Sequence, residues 1–143
     1  MFVGCGDAKT YGTIQDVFKD SASIQVFIEG ESKEFLTGTA EFESVINQTN
    51  KMLTGSHQMP AFGVSMDDLT RQELESGVWI LYNFNQVCTN SEMPFDGLLI
   101  NVNPEFSGFN IIRRYNGKYE GRCFYLDLNQ TTMSDLYNLL VEL

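Results

Sequence analysis

Four kinds of side chain in this sequence could do chemistry: thiols, a histidine, neighbouring carboxylates, and arginines set among tyrosines. The thiols are Cys5, Cys88 and Cys123, and the one histidine is His57. A thiolate beside an imidazole makes a nucleophilic pair, so His57 with Cys88 or Cys123 is the minimum for covalent catalysis. No family signature surrounds either cysteine, and both are accounted for as small buried hydrophobes. A structural zinc site needs four closely spaced Cys or His ligands, which four scattered residues without a C-x-x-C pair do not supply. Asp67 and Asp68, with Glu73 and Glu75 following, offer carboxylates for calcium or acid–base work. Capping and solvating a short helix accounts for them more simply. Gly4 to Thr10 fails as a phosphate loop, because its glycines are misplaced and no strand precedes it. These residues are assigned no catalytic role, no metal and no cofactor.

The charge map carries more. Nineteen acidic and nine basic side chains give a formal charge of −10. Residues 1–112 hold five basic and fifteen acidic groups, whereas residues 113–122 hold Arg113, Arg114, Lys118 and Arg122 against Glu120 alone. Tyr115 and Tyr119 are interleaved with them. Arginine and tyrosine are the residue types that most often anchor recognition sites. Arg113, Arg114, Tyr115, Lys118, Tyr119 and Arg122 are therefore the candidate binding residues, for a small anionic ligand or a protein partner. The competing account is structural. A two-residue turn at Asn116-Gly117 would set Arg113 across from Glu120, and the remaining cations would answer the acidic body. The acidic balance argues against nucleic acid and anionic membrane surfaces as partners. No apolar run approaches the roughly 20 residues of a membrane-spanning helix.

Phe2-Val3-Gly4-Cys5 resembles the lipobox that ends a bacterial lipoprotein signal peptide, with the small Gly4 ahead of the cysteine that takes the lipid; Phe2 stands in place of the usual leucine. The resemblance implies lipid attachment at Cys5 and a place on the extracellular face of a bacterial membrane, reached only through that anchor. A basic and apolar leader would have to lie upstream of the given start. Without lipidation, a cytoplasmic location is expected.

The elements that must position these residues are legible from periodicity and turn chemistry. Residues 1–12 read as an irregular tail, and 13–143 as a single α+β domain. Thr13 and Asp16 have capping-box spacing ahead of a short helical segment. Ile24 to Ile28 alternates as a strand, Glu29-Gly30-Glu31-Ser32 reads as a turn, and Glu34 to Leu36 as its return. Ala40 to Leu53 is the long central helix, capped by Thr39 and stopped near Gly55, with Phe42, Val45, Ile46, Met52 and Leu53 on one face. Pro60 and the flanking glycines mark Ser56 to Gly63 as a loop. Ser65 to Glu75 reads as a helical turn or two. Val78 to Phe84 is nearly continuous in β-formers, the pattern of a strand buried on both faces. Leu98 to Val102 is a further strand. Asn-Gly between Phe109–Tyr115 and Lys118–Leu128 predicts a type I′ hairpin, with Gly121 at a bulge. A C-terminal helix follows Thr132, which has capping-box spacing with Asp135, its apolar face formed by Met133, Leu136, Tyr137 and Leu140. The expected fold class is α+β: a mainly antiparallel sheet of about five to six strands, a long central helix, a C-terminal helix and short helical segments.

Three functional readings follow: a non-enzymatic binding domain, with or without a lipid anchor; a cytosolic acidic inhibitor or immunity-type protein directed at a basic partner; and a small enzyme whose site assembles only in space. The anchor is checked by intact mass of the native protein from membrane and soluble fractions. A lipid-bearing species that begins at Cys5 would establish export and anchoring, and an unmodified soluble chain that retains Phe2 to Gly4 would exclude them.

Overall fold

The run of β-formers after Gly77 becomes the longest strand among the described residues, and the rest of the sheet assembles on its two edges. The computed structural model describes residues 9–63, 74–90, 93–105, 108–128 and 132–143. Within these, the strands are β1 (Lys9–Thr10), β2 (Ser23–Ile28), β3 (Glu31–Leu36), β4 (His57–Gly63), β5 (Val78–Asn90), β6 (Met93–Val102), β7 (Gly108–Tyr115) and β8 (Lys118–Asp127). The helices are α1 (Ala40–Leu53) and α2 (Ser134–Val141), with 3-10 turns at Ile14–Asp16 and Phe18–Asp20. The sheet runs β3-β2-β5-β6-β7-β8-β4, with β1 beside β5. Every pairing is antiparallel except the short parallel pair of β1 with β5. The α+β class and the mainly antiparallel sheet are as expected; the central helix, at 14 residues, is of ordinary length.

Alternation along the strands divides the sheet into two faces. On one, Ile24, Val26, Ile80, Tyr82, Leu98, Ile100, Ile111, Phe124 and Leu126 form the main core with Ile14, Val17 and Phe18, with Phe42, Val45 and Met52 of α1, and with Leu136 and Leu140 of α2. On the other, Trp79, Leu81, Leu99 and Ile112 form a smaller cluster with Phe27, Leu74 and Tyr119 against it. β5 is thus buried on both sides, which is why its sequence does not alternate.

α1 forms where its signals place it. Thr39 Oγ1 accepts from the Phe42 amide at 3.2 Å, Glu41 and Glu43 occupy the first turn, and Lys51 the last. Gly55, at φ +82°, ends it. Its buried face includes one polar residue, Thr49, whose Oγ1 donates to the Val45 carbonyl and lies 2.7 Å from the Tyr82 hydroxyl. Since the Thr49 proton is used on Val45, Tyr82 is the donor of the second bond. Tyr82 also meets the Phe18 ring edge-on, at 4.6 Å between centroids.

Four local expectations are corrected. Ser56 to Gly63 is not all loop: His57–Gly63 is β4, at the sheet's edge beside β8. Pro60 is accommodated because the register breaks between Met59 and Phe62, and an edge strand tolerates a missing donor. The β2–β3 turn is only Glu29-Gly30, both at positive φ (50° and 86°), and Glu31 already pairs with Ile28. Thr13 does not cap a backbone amide but donates to the Asp16 carboxylate at 2.9 Å, and the segment closes into 3-10 turns. Thr132 accepts from the Ser134 amide at 3.3 Å, one residue short of the expected box, so α2 starts from Met133 without a side-chain cap.

The expected irregular tail also shortens at its end. Lys9–Thr10 pairs with Cys88–Thr89, Tyr11 is buried, and the Tyr11 hydroxyl and Lys9 ammonium both donate to Asp20, at 2.6 and 2.9 Å. The Tyr11 and Lys9 bonds hold the Asp20 carboxyl below its ordinary value, while burial and the bond to Asp20 push Tyr11 up. Residues 1–8 and the Ser65–Glu73 part of the expected helical segment lie outside the described residues.

The Thr49–Tyr82 pair sets an order of stability costs. Thr49→Val leaves the Tyr82 hydroxyl buried without its acceptor and should cost about 1–3 kcal/mol, whereas Tyr82→Phe should cost about 1 kcal/mol. Burial raises the Tyr82 hydroxyl above its ordinary value of 10.0, so its neutral form belongs to the folded state. That contribution is complete below pH 10 and is lost as pH rises beyond it. Urea unfolding of the two variants at pH 7 checks the order, and a larger loss for Tyr82→Phe would contradict it.

Candidate functional site

Asn116 and Gly117 take φ values of 54° and 76°, the two positive angles that a type I′ turn requires, so the expected hairpin forms between β7 and β8. Tyr115 faces Lys118 and Arg114 faces Tyr119. The next expected pair, Arg113 with Glu120, falls at a break in register. Ile112 faces Cys123, so residues 120–122 of β8 all lie across from Arg113. This irregularity contains Gly121, as expected of a bulge. Arg113 is opposite Leu98 on the other side, is only 6% exposed, and donates from Nη1 to the Pro94 carbonyl at 2.7 Å. A buried guanidinium must keep its hydrogen bonds, so Arg113 is a structural residue of the core face rather than part of a surface patch.

Arg114 points to the opposite face. Its Nε donates to Asp96 Oδ1 at 2.9 Å and its Nη2 to the Asp96 carbonyl at 3.1 Å. The second carboxylate oxygen of Asp96 accepts from the Asn116 amide at 3.3 Å, so one side chain fixes both the arginine and the turn. Gly97, directly across from Arg114, makes the room. A Cβ there would stand 2.7 Å from Arg114 Cζ and 2.8 Å from Nη2, so the guanidinium lies on the bare backbone of β6. A quarter of the Arg114 side chain reaches solvent.

The register extends this arrangement across the sheet: Ser23, Asn83, Gly97, Arg114 and Tyr119 follow one another from β2 to β8. Asn83 Nδ2 donates to Ser23 Oγ at 3.2 Å, and Ser23 Oγ donates to Glu34 at 3.3 Å. Tyr119 is half-buried; burial raises its hydroxyl, and the Arg114 charge partly opposes that rise. Lys118 is exposed and Tyr115 half-buried at the tip. Arg122 sits on β8 opposite Gly63. The structure therefore brings Arg114, Tyr115, Lys118 and Tyr119 to one hairpin end and turns Arg113 away.

The other chemistry-bearing residues do not converge. Cys88 is buried beside the β1 pairing, and burial is the main cause that raises its thiol. His57 is on β4 opposite Asp127, with β6, β7 and β8 between it and β5, which is about 19 Å in strand spacings. Cys123 is on β8, opposite Phe62 and four residues from Asp127. Among the described residues no group of three or more His, Cys, Asp or Glu could hold a metal ion. Three surface depressions of 410–530 Å³ are lined by described residues, and none of the three includes His57, Cys88 or Cys123. Cys5, Asp67, Asp68 and Glu73 lie outside the described residues. Among those described, no helix is long and apolar enough to cross a membrane.

The chain matches no protein-family model, no curated protein and no solved structure. Function must be argued from the site itself.

Asp96 and Gly97 were not singled out by the sequence: Asp96 counts there only as one more acid, and only the β6–β7 register reveals that it buttresses the basic hairpin. Gly97→Ala tests that buttress. The added Cβ should lift the guanidinium off β6, releasing Arg114 Nε–H to fast solvent exchange at a stability loss of about 1 kcal/mol or less, since the pair is partly exposed. An unchanged Arg114 Nε–H signal would mean that the glycine is not what seats it.

Proposed function

We propose that this chain is a non-enzymatic binding domain that presents the β7–β8 hairpin end to a small anionic ligand or an acidic partner. The observation that carries the reading is the double use of Asp96, which ties Arg114 and the Asn116 turn amide to β6. A tip fixed in this way loses little conformational freedom when something binds to it, and that loss is a main cost of recognition. Arg114 and Lys118 supply positive charge there, and Tyr115 and Tyr119 supply rigid amphipathic surface. A lipid anchor at Cys5 would place this domain at a bacterial membrane face.

A second reading has its own support. Glu29, Glu31, Glu34, Glu41 and Glu43 are all exposed on the β2–β3 turn, β3 and the first turn of α1. The single cation among them, Lys33, donates to the Leu143 carbonyl. Such an acidic surface suits the inhibitor of a basic partner, and that binding would weaken steeply with salt.

Citrate at constant ionic strength is the probe for the first reading. Backbone amides 114–119 should shift saturably, and Lys118→Glu should weaken the response several-fold while Lys51→Glu, on the exposed face of α1, leaves it unchanged. Equal losses in the two variants would reduce the effect to net charge, and the absence of saturable shifts would remove the hairpin reading.

A further inference from the structure

The guanidinium of Arg114 has five N–H donors, four of which pair off on two edges. The side edge, Nε–H with one Nη2–H, is occupied by Asp96 Oδ1 and the Asp96 carbonyl. The end edge, formed by Nη1 and the second Nη2–H, has no partner among the described residues. This edge is the one that can meet two coplanar oxygens in parallel, the bidentate geometry of an arginine–carboxylate pair. The plane of the fork is fixed by two bonds behind it and by the Gly97 backbone beneath it. Beyond Gly97 in the same row stands Asn83, one N–H of whose Nδ2 donates to Ser23 Oγ.

Taking the hairpin reading as its basis, we propose that the end edge of Arg114, above Gly97, is a subsite for the carboxylate group of a small ligand or of an acidic side chain or C-terminus. The local charge favours a monoanion. Asp96 already offsets Arg114, so a carboxylate meets an oriented fork in a near-neutral setting, whereas a dianionic phosphate carries a second charge that Asp96 repels. Recognition then comes from the fixed fork rather than from a strong field. Lysine, a point donor without a planar fork, would not replace it.

Acetate and inorganic phosphate, titrated separately at constant ionic strength, are the probes; the readouts are the Arg114 Nε–H and the Gly97 amide. Acetate should shift both saturably, and Arg114→Lys should weaken acetate binding about tenfold, the size of one well-made bidentate contact. Lys51→Glu should leave it unchanged. The wild-type titration stands even if Arg114→Lys disturbs the hairpin. Phosphate that binds as tightly as acetate overturns the selection for carboxylate. If citrate shifts the tip amides while acetate leaves Arg114 and Gly97 unmoved, the subsite is wrong and the hairpin reading survives. If neither probe produces a saturable shift, both fall.

Discussion

β5 has to be covered on both faces, and most of the architecture answers that requirement. Val78, Ile80 and Tyr82 turn into the core against α1, α2 and the 3-10 turns; Trp79 and Leu81 turn to the other side with Leu99 and Ile112. A strand with two apolar faces is stable only at the interior of a sheet with something packed on each side. β2 and β6 therefore flank it along Val78 to Asn83, and the fully buried Tyr82 hydroxyl needs an internal acceptor, which Thr49 on α1 provides. Placing α1 against β5 in turn orients the β3 end of the sheet, where Thr39 begins the helix directly after Leu36.

The same strand explains why the polar hairpin end is held where it is. β5 and β6 stay in register from Val78–Val102 to Asn83–Gly97 and then lose it until Cys88–Phe95. Asp96 falls just at this break, where β6 no longer has a regular partner in β5. Its side chain is free to turn toward β7, and the one residue beside it that lacks a side chain leaves space for the guanidinium. A hairpin bonded to β6 only from Gly97 to Ile100 would otherwise project its tip without support.

What could be read from the sequence was whatever local chemistry decides. α1 was legible because periodicity, cap and stop all lie within 16 residues of one another. The β7–β8 turn was legible because Asn-Gly can hardly do anything else between two strands. β4 was not, because Pro60 argues against a strand everywhere except at an edge, and edge position depends on the order of the whole sheet. The side of the sheet that Arg113 takes was missed for a similar reason. The register breaks between Ile112 and Arg114, and a slip in register moves side chains relative to their partners without altering composition. The six-residue basic cluster was visible as a sum of charges, yet neighbouring residues on a strand point to opposite faces, so the sum overstated the patch.

The charge distribution makes sense once Asp96 is included. A protein of net charge −10 repels anions at long range, and a loose cluster of surface cations would be screened and mobile in that setting. Holding one guanidinium by two bonds on a glycine floor changes what it can offer. Its orientation is then settled before a ligand arrives, and the ordering cost that weakens most exposed ion pairs falls on folding instead of on binding. Asp96 lowers the attraction that Arg114 exerts at a distance and raises the directionality it exerts at contact. On the proposed reading, an acidic domain built in this way would distinguish anions by the geometry of their oxygens more than by the magnitude of their charge.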